Sequence, residues 1–442
     1  MSFPRYPAYR DSGVHWIGEV PAHWTLSRIR AFTNFVGGGT PSREIPSYWG
    51  GEIPWVSPKD MKTECIESSE ECITEAGLVE STASRVPAGR VLMVVRSGIL
   101  KHTIPVAINA VPVALNQDMK ALAFEPGICL SSFFLRWVQG FNNSLLLVWA
   151  KQGATVESIE HEYLANTVVP LPSMEEQRAI AAFLDRETAK IDALVAEQRR
   201  LMDLLREKRQ AVISHAVTKG LNPNAPMKDS GVEWMGEVPA HWQVVQSRRL
   251  FKVRSERARL GDEQLTASQK YGIVRQSDFV EWEGRRVVEA ILGKDNLLHV
   301  EPDDFVISMR SFQGGIERST LRGSISFHYV MLVPNALVHP PFFAHLMKCA
   351  PYIQALQSTT DLIRDGQELR YSHFVKVDLP VVPFDEQVAI AVFLDSALQR
   401  IDSLMAEAER SLPLLLERRA ALITAAVTGE IDVRSLALSE AA

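Results

Sequence analysis

The sequence predicts an α+β protein with an internal duplication, in which a mixed α/β domain followed by a long helix occurs twice. Two pairs of repeated segments and the overall composition support this fold class. The chain has 442 residues, of which 46% are hydrophobic and 23% charged. A chain of this length and composition normally forms two or three folded domains and is not disordered. We therefore expect two similar halves, each with its own core.

A short box occurs once in each half. Residues 11–24 read DSGVHWIGEVPAHW and residues 229–242 read DSGVEWMGEVPAHW, with twelve of the fourteen positions identical. We call them the first box and the second box. Their glycines and prolines favour turns, and their tryptophans favour packing. We therefore interpret each box as a structural clasp.

A second repeat predicts two long helices. EEQRAIAAFLD at 175–185 returns as DEQVAIAVFLD at 385–395. Apolar residues then recur at steps of three and four with charges between them, which predicts coiled-coil helices over residues 175–220 and 385–430. Pro413 predicts a bend in the second helix. The predicted pairing residues are Ile180, Leu184, Ile191, Leu194, Leu201 and Leu205 in the first helix, and Ile390, Leu394, Ile401, Leu404, Leu415 and Leu422 in the second.

The segments between the boxes and the helices share little sequence, and we call them the first variable region (25–174) and the second variable region (243–384). Each is typical of a mixed α/β domain. Buried strands are predicted at 91–98 and 303–311, and amphipathic helices at 131–141 and 340–350. Along the chain, the predicted domains are 1–174, 175–220, 221–384 and 385–430, followed by a C-terminal tail at 431–442.

Polar loops after the predicted strands supply the candidate binding residues. Arginine can bond guanine and glutamine can bond adenine, while lysines and backbone amides suit phosphates. A solvated charged face, or caps on the strands, is the alternative interpretation of these loops. In the first variable region the candidates are Thr40, Ser42, Arg43, Tyr48, Lys59, Lys62, Arg96, Ser97, Lys101, Lys151, Gln152 and Thr155. In the second they are Arg248, Arg249, Arg254, Arg275, Arg310, Ser311, Gln313, Arg364 and Gln367.

Several classes of function find no support in the sequence. It contains no phosphate-binding G-x-x-x-x-G-K-[ST] loop, no H-E-x-x-H and no strand-bound G-x-G-x-x-G. The four cysteines lie far apart, which argues against a zinc ribbon or a disulfide scaffold. A net charge of −6 argues against a generic polycation. Because no signal peptide or apolar stretch of about 20 residues is found, we expect a cytoplasmic protein.

The motifs together resemble the specificity subunit of Type I restriction–modification systems over nearly the whole chain. The residues that carry the resemblance are the two boxes, GGGTP and YWGGEIPWVSPKDM between residues 37 and 61, and E-Q-x-x-I-A-x-F-L-D-x-x-x-x-x-I-D in both helices. The resemblance implies that 25–174 and 243–384 are target-recognition domains, each reading half of a bipartite, asymmetric site in double-stranded DNA. It also implies an antiparallel pair of helices that separates the two domains with pseudo-two-fold symmetry.

The same resemblance implies the partners and cofactors. The helices are expected to dock two modification (methyltransferase) subunits, and restriction subunits are expected to complete the complex. S-adenosylmethionine, ATP and Mg are expected on those partner subunits, with no metal or cofactor bound by this chain and no catalysis by it. The variable regions have nearly balanced charge, with 12 basic and 14 acidic residues in the first and 18 and 16 in the second. We therefore expect this chain to bind DNA weakly alone.

The residues by themselves leave two alternatives open. One is an architectural coiled-coil adaptor whose variable regions bind proteins. The other is a solitary nuclease or methyltransferase. Sequence-specific DNA binding by the assembled complex would argue against the adaptor, whereas cofactor binding by the isolated chain would favour the enzyme.

Overall fold

The computed structural model describes residues 3–151, 156–284, 296–308, 311–359 and 369–434. The chain divides into two compact units, which we call the first unit (1–198 with 410–442) and the second unit (199–409). Each unit contains one box, one variable region and about half of each long helix. The predicted domain boundaries at residues 174, 220 and 384 keep each long helix whole. The two compact units instead divide each long helix between them.

The core of the first unit is built around a five-stranded sheet. Its strands follow the order Thr33–Gly37, Met119–Phe124, Val91–Val94, Val106–Asn109 and Cys65–Ile66, and only the last pair is parallel. All four residues of Val91–Val94 are buried, as the apolar run at 91–98 predicts. The helix Ser131–Gly140 buries Phe133, Phe134 and Trp137, which confirms the predicted amphipathic helix.

Smaller elements complete the first unit. A four-stranded sheet has the order Cys72–Ile73, Trp49–Val56, Val113–Leu115 and Arg85–Val86. Two strand pairs join Tyr9–Asp11 to Glu19–Pro21 and Thr25–Arg28 to Val168–Leu171. The shorter helices are Glu75–Val79, Asn142–Trp149 and His161–Asn166, with 3-10 turns at Ile29–Ala31, Pro46–Tyr48 and Gly98–Lys101.

The second unit repeats the central part of this plan. Its four-stranded antiparallel sheet has the order Phe251–Arg254, Val330–Pro334, Phe305–Ile307 and Glu317–Arg318. The predicted strand at 303–311 is confirmed over Phe305–Ile307, and the predicted helix at 340–350 over Pro340–Leu346. Phe251 packs edge-on against both Phe305 and Phe343, so strand and helix share one core.

Paired strands and short helices surround this sheet. The strand pairs are Met227–Asp229 with Glu237–Pro239, Gln243–Gln246 with Asp378–Val381, Leu265–Ser268 with Gly272–Arg275, and Leu298–Val300 with Gly323–Ile325. The helices are Gln276–Glu283, Ser311–Gly314, Ala350–Ser358 and Tyr371–Phe374, with a 3-10 turn at Ser247–Arg249.

The two repeated segments form the predicted long helices, Met174–Lys219 and Phe384–Thr428. They contain 46 and 45 residues, which corresponds to about 70 Å at 1.5 Å per residue. Acidic residues occupy the first turn of each, where they favour the positive end of the helix dipole. Pro413 lies inside the second helix without ending it, and the bend expected there stays a prediction.

One ion pair occurs twice between the helices. Arg419 Nε lies 2.9 Å from Asp192 Oδ1 in the first unit, and Arg209 Nε lies 3.0 Å from Asp402 Oδ1 in the second. The two helices repeat at an offset of 210 residues, so Asp402 is the repeat of Asp192 and Arg419 is the repeat of Arg209. Since 192 contacts 419 while 209 contacts 402, the helices run antiparallel, as the resemblance implies.

The residues that are buried along the two long helices differ in part from the predicted pairing residues. Leu194, Leu201 and Leu404 are 51%, 41% and 51% exposed, so they do not belong to a buried seam. Val195 and Met202 are buried in the first helix instead. The reason is a step of four residues where a step of three was expected, from Leu184 to the buried Thr188 and from Leu394 to the buried Leu398. Alternate buried residues therefore lie one position later, while Ile191 and Ile401 stay buried as predicted.

The first box is attached to the start of the first long helix by a buried carboxylate. Trp24 Nε1 donates a hydrogen bond to Glu176 Oε1 at 3.1 Å, and His23 Nε2 lies 3.0 Å from Glu176 Oε2. The Glu176 side chain is only 4% exposed. A buried carboxylate is stable only when donors satisfy it, so these contacts hold the box and the helix together.

The second box makes the same contacts in its own unit. Trp242 Nε1 donates to Glu386 Oε2 at 3.0 Å, and His241 Nε2 lies 2.8 Å from that oxygen. The two sets match residue by residue in the repeats. This confirms the interpretation of the boxes as structural clasps.

Each box also receives the end of a long helix. Gly220 and Gly429 follow the two helices with φ of +72° and +78°, a left-handed conformation that glycine adopts easily at a helix end. A Cβ at Gly429 would lie 2.4 Å from Pro21, and one at Gly220 would lie 3.4 Å from Trp242. The turn of each box therefore packs directly on a helix end.

Replacing Glu176 with alanine should destabilise the first unit. The change leaves the buried Trp24 N–H without its acceptor, and a lost acceptor of this kind costs about 1–3 kcal/mol. Urea unfolding followed by circular dichroism should show a lower midpoint. Glu175→Ala is the matched control, because Glu175 is the exposed neighbour in the same helical turn. Equal midpoints for the two variants would show that the clasp does not contribute to stability.

Candidate nucleic-acid interface

A tight turn lies at the centre of the candidate surface of the first unit. We call residues 116–118 the first turn. Asn116 Oδ1 accepts a hydrogen bond from the Asp118 N–H at 2.9 Å, and Asn116 O accepts one from Met119 at 3.2 Å. Asp118 O in turn accepts hydrogen bonds from the N–H groups of Val95 and Arg96 at 2.8 and 3.2 Å. The turn therefore fixes the loop that follows the buried strand Val91–Val94.

Two predicted binding residues contact the side chains of this turn. Arg96 Nε donates to Asp118 Oδ1 at 2.6 Å, and the Arg96 side chain stays 53% exposed. The Thr40 hydroxyl is hydrogen-bonded to the amide oxygen of Gln117, which is exposed. Arg96, Thr40 and Gln117 thus present polar groups on one surface.

The next predicted residues extend the same surface. Ser97 caps the 3-10 turn Gly98–Lys101 through its hydroxyl, which accepts from the Ile99 N–H at 3.4 Å. Lys101 Nζ lies 4.0 Å from Glu157 Oε1, and Lys151 Nζ lies 3.5 Å from Glu160 Oε2. The backbone of 157–159 connects these groups, because Glu157 O accepts a hydrogen bond from Ser97. Gln152 and Thr155 lie outside the described residues.

A lysine–histidine pair beside this surface was not among the predicted residues. Lys120 Nζ lies 3.0 Å from His161 Nδ1. Burial lowers the pKa of Lys120, and burial together with the nearby lysine charge lowers the pKa of His161. Lys120 is the only polar residue of the strand Met119–Phe124, whose sequence is MKALAF. A single lysine in an apolar strand was the sequence signal that could have identified this pair.

A second group of predicted residues surrounds Arg43 on the smaller sheet. The Arg43 guanidinium lies 3.8 Å from the centroid of the Trp49 ring. Its Nη2 donates to Glu71 Oε2 at 2.7 Å. Hydrogen bonds from Arg43 and the charge of the exposed Lys59 lower the pKa of Glu71. Stacking on tryptophan leaves the guanidinium flat and accessible, a form suited to a base or a phosphate.

The remaining candidates of the first variable region lie near this group. Ser42 O accepts from Trp49 Nε1 at 3.1 Å. Tyr48 Oη donates to Glu80 Oε2 at 2.7 Å, which raises the pKa of the phenol. Lys62 Nζ lies 3.1 Å from Glu70 Oε1. Three of the six predicted cations of this region, Arg43, Lys62 and Lys101, are therefore paired with exposed carboxylates. Surface pairs of this kind contribute only about 0–1 kcal/mol, so a phosphate can replace the carboxylate.

In the second unit the structure separates the predicted residues into accessible and internal ones. Arg254 is half-buried and donates two hydrogen bonds of 2.8 and 3.0 Å to Asp304. Asp304 is 1% exposed and would lose its counter-charge if Arg254 left. Ser311 is also buried, and its hydroxyl accepts from the Ser308 N–H at 2.8 Å. The Ser311 side chain is therefore not available to DNA, which corrects its prediction, whereas the Arg254 side chain stays 20% exposed and its DNA contact stays a prediction.

Four other candidates of the second variable region are exposed. Arg248 and Arg249 lie on the 3-10 turn Ser247–Arg249. Arg275 Nε donates to Glu263 Oε2 at 2.5 Å. The Gln313 amide oxygen lies 3.5 Å from Gln269 Nε2. Arg310, Arg364 and Gln367 lie outside the described residues.

A buried histidine in the second unit was also missed. His299 is fully buried, with Nδ1 at 2.7 Å from Asp262 Oδ2 and Nε2 at 2.8 Å from Glu301 Oε1. Both ring nitrogens therefore face carboxylates. The hydrogen bond with His299 lowers the pKa of Glu301. Across the described ranges, no group of three or more His, Cys, Asp or Glu residues is arranged to hold a metal ion.

The second unit has a turn with the same backbone bonds as the first turn. We call residues 326–328 the second turn. Ser326 Oγ accepts from the His328 N–H at 3.3 Å, and Ser326 O accepts from Tyr329 at 3.0 Å. Phe327 is 49% exposed, and its ring centroid lies 4.1 Å from that of His328. The second turn therefore presents aromatic rings where the first presents an amide and a carboxylate.

Among the described residues, no helix is both long and apolar enough to cross a bilayer.

The family model and the curated relatives that match this chain all describe Type I restriction specificity proteins. Residues 21–200 match the family model of the Type I restriction modification DNA specificity domain. The specificity subunit of the Type I restriction enzyme EcoR124I/EcoR124II from Escherichia coli is 37% identical over 189 residues, which are 42% of this chain and 45% of the relative. The MjaIX specificity subunit from Methanocaldococcus jannaschii is 27% identical over 246 residues, 54% of each chain. The chain spans about half the length of these curated relatives in the matches.

The fold is also similar to that of a solved structure. A chain from a structure on complex assembly and conformational transition of the Type I restriction–modification system superposes with a TM-score of 0.68 at 15% identity. The superposition covers 93% of this chain and 99% of the other. The family match includes the end of the first box, the first variable region and the start of the first long helix, which are the parts joined by Glu176. Residues 21–200 therefore form a Type I restriction modification DNA specificity domain, and over this part the chain is similar to specificity subunits of Type I restriction enzymes.

Proposed function

We propose that this chain is the sequence-reading subunit of a Type I restriction–modification complex. In this proposal each variable region reads one half of a bipartite, asymmetric site in double-stranded DNA. The observation that carries it is the duplication itself. The two units share clasp, central sheet and turn geometry, yet they present different side chains on their accessible loops. Two units with the same scaffold but different exposed residues are expected for a protein that reads two unlike DNA sequences.

The charges of the first unit support contact with the DNA backbone. Arg43, Lys101 and Lys151 are exposed and paired with carboxylates of the same unit. Phosphates can replace those carboxylates at little cost, because the pairs face water. The nearly neutral net charge of the region leaves much of the phosphate contact to other subunits.

The long helices support docking of a partner present in two copies. Leu194 and Leu404 occupy equivalent positions and are both 51% exposed. Leu204 and Leu414 are also equivalent and are 52% and 64% exposed. Apolar side chains exposed in the same place on both helices suit two identical partners. We propose that these partners are the methyltransferase subunits, with restriction subunits completing the complex.

The proposal assigns no chemistry to this chain. S-adenosylmethionine, ATP and Mg would bind to the partner subunits, and this chain would supply only recognition and spacing.

The proposal is tested by mapping methylated adenines in the native genome with and without the gene. We expect an asymmetric site of two short sequences separated by an unread gap, methylated only when this chain is present. A plasmid-borne copy should restore the methylation, which controls for effects on neighbouring genes. A methylation map that does not depend on the gene would contradict the proposal.

A fragment of residues 1–220 should form a homodimer. The core of the first unit includes Ile423 and Val427 from the second helix, and the core of the second unit includes their equivalents Ile213 and Val217. In the fragment, residues 213 and 217 of one copy can fill the places of 423 and 427 in the other. Light scattering should show the dimer. With its methyltransferase it should modify a symmetric site made of the first half-site and its inverted repeat.

The matched control for the fragment is Ile213→Asp, which places a charge at the position that would replace Ile423. This variant should not dimerise. A fragment that is folded and strictly monomeric without the change would contradict the prediction.

Lengthening both helices should lengthen the gap between the half-sites. Four residues inserted after Glu197 and after Glu407 add about 6 Å to each helix at 1.5 Å per residue. Four residues nearly complete a turn, so the apolar row is nearly preserved. Because DNA rises about 3.4 Å per base pair, the preferred gap should grow by one or two base pairs while the half-sites stay the same. A folded, partner-bound variant that keeps the original gap would show that the helices do not set the spacing.

A further inference from the structure

The first turn and the second turn occupy equivalent places in the two units. Strand register establishes this, because Thr33 pairs with Phe124 in the first unit and Phe251 pairs with Pro334 in the second. Phe124 and Pro334 are therefore equivalent, and they differ by 210 in residue number. The same offset makes residues 116, 117 and 118 equivalent to residues 326, 327 and 328. The hydrogen bonds agree with this alignment, since in both units the first residue of the turn accepts from the backbone N–H groups two and three residues later.

The turns are rigid although their tips are exposed. Leu115 and Ile325 precede them as fully buried residues of short strands. Met119, which follows the first turn, is fully buried as well. Side chains held on such anchored turns keep a fixed direction, which recognition of a particular chemical group requires.

The tips carry different chemistry on this shared backbone. Gln117 presents an exposed carboxamide, and the equivalent Phe327 presents an aromatic ring that is 49% exposed. Asp118 is held by Arg96, whereas the equivalent His328 stacks on Phe327. An exposed phenylalanine ring offers apolar area that can pack against an apolar group of a ligand.

We propose that the first turn and the second turn contact base edges, one turn for each half of the DNA site. Residues Gln117 and Phe327 are the specificity-determining residues of this pair. The inference rests on the proposed function and assigns the contact within it. A carboxamide can bond adenine through two hydrogen bonds, whereas an aromatic ring can contact the methyl group of thymine. Arg96 and Thr40, which contact the first turn, hold it in place against the DNA.

The experiment uses the complete complex of this chain with its methyltransferase, and it compares Gln117→Ala with Phe327→Ala. Methylation is measured on the native site and on sites with single base changes in either half. Gln117→Ala should reduce discrimination about tenfold or more at one or two positions of the first half-site only. Phe327→Ala should do the same in the second half-site only.

Matched controls come from the opposite ends of the same strands. Glu125→Ala and Leu337→Ala remove exposed side chains beyond those ends, with Leu337 being 55% exposed. Both controls should keep the native site. Unchanged discrimination in both turn variants, or a change in the other half-site, would overturn the inference. Exchange of Gln117 for Glu, which preserves the fold of an exposed turn but alters the hydrogen bonds offered, provides a second test if the alanine variant is poorly folded.

Failure of the proposed function would look different. If the unaltered complex methylates no site that depends on this chain, the function is wrong and the turns have no half-site to read. If the unaltered complex is active and the turn variants behave as their controls do, the function stands and only the assignment of the turns is wrong.

Discussion

The buried carboxylate at the start of each long helix is the contact on which each unit depends. Glu176 and Glu386 are acidic residues at a helix N-terminus, where the dipole favours them, and each accepts hydrogen bonds from a tryptophan and a histidine of its box. The variable region lies between those two elements along the chain. Joining the box to the helix therefore fixes both ends of the region that carries the accessible loops.

The large-scale fold could be predicted because the duplication of the box and of the long helix is visible in the amino-acid sequence. Strands with continuous apolar runs, such as Val91–Val94 and Phe305–Ile307, and the helix Ser131–Gly140 were found where the pattern placed them. The pairing of the helices was less predictable, because a step of four residues, at Thr188 in the first helix and at Leu398 in the second, moves alternate buried residues by one position. Leu194 and Leu404 then face water, and a strict heptad does not reveal this.

The candidate surface was only partly predictable, because exposure is a tertiary property. Lys151 is distant in sequence from Arg96 and Lys101, yet backbone hydrogen bonds between their loops bring the three together. Ser311 has suitable chemistry but is buried inside the second unit, where its hydroxyl accepts from Ser308. Gln117 and Phe327 carry no motif, and only strand register shows that they are equivalent.

Each variable region begins and ends on neighbouring strands. Thr25–Arg28 pairs with Val168–Leu171, and Gln243–Gln246 pairs with Asp378–Val381. The two ends of the region are therefore one strand spacing apart, about 4.8 Å. A gene segment that encodes everything between such a pair can be exchanged for a homologous one without disturbing the box, the helix or their clasp. Under the proposed function, exchange at this boundary would change one half of the recognised site in a single event.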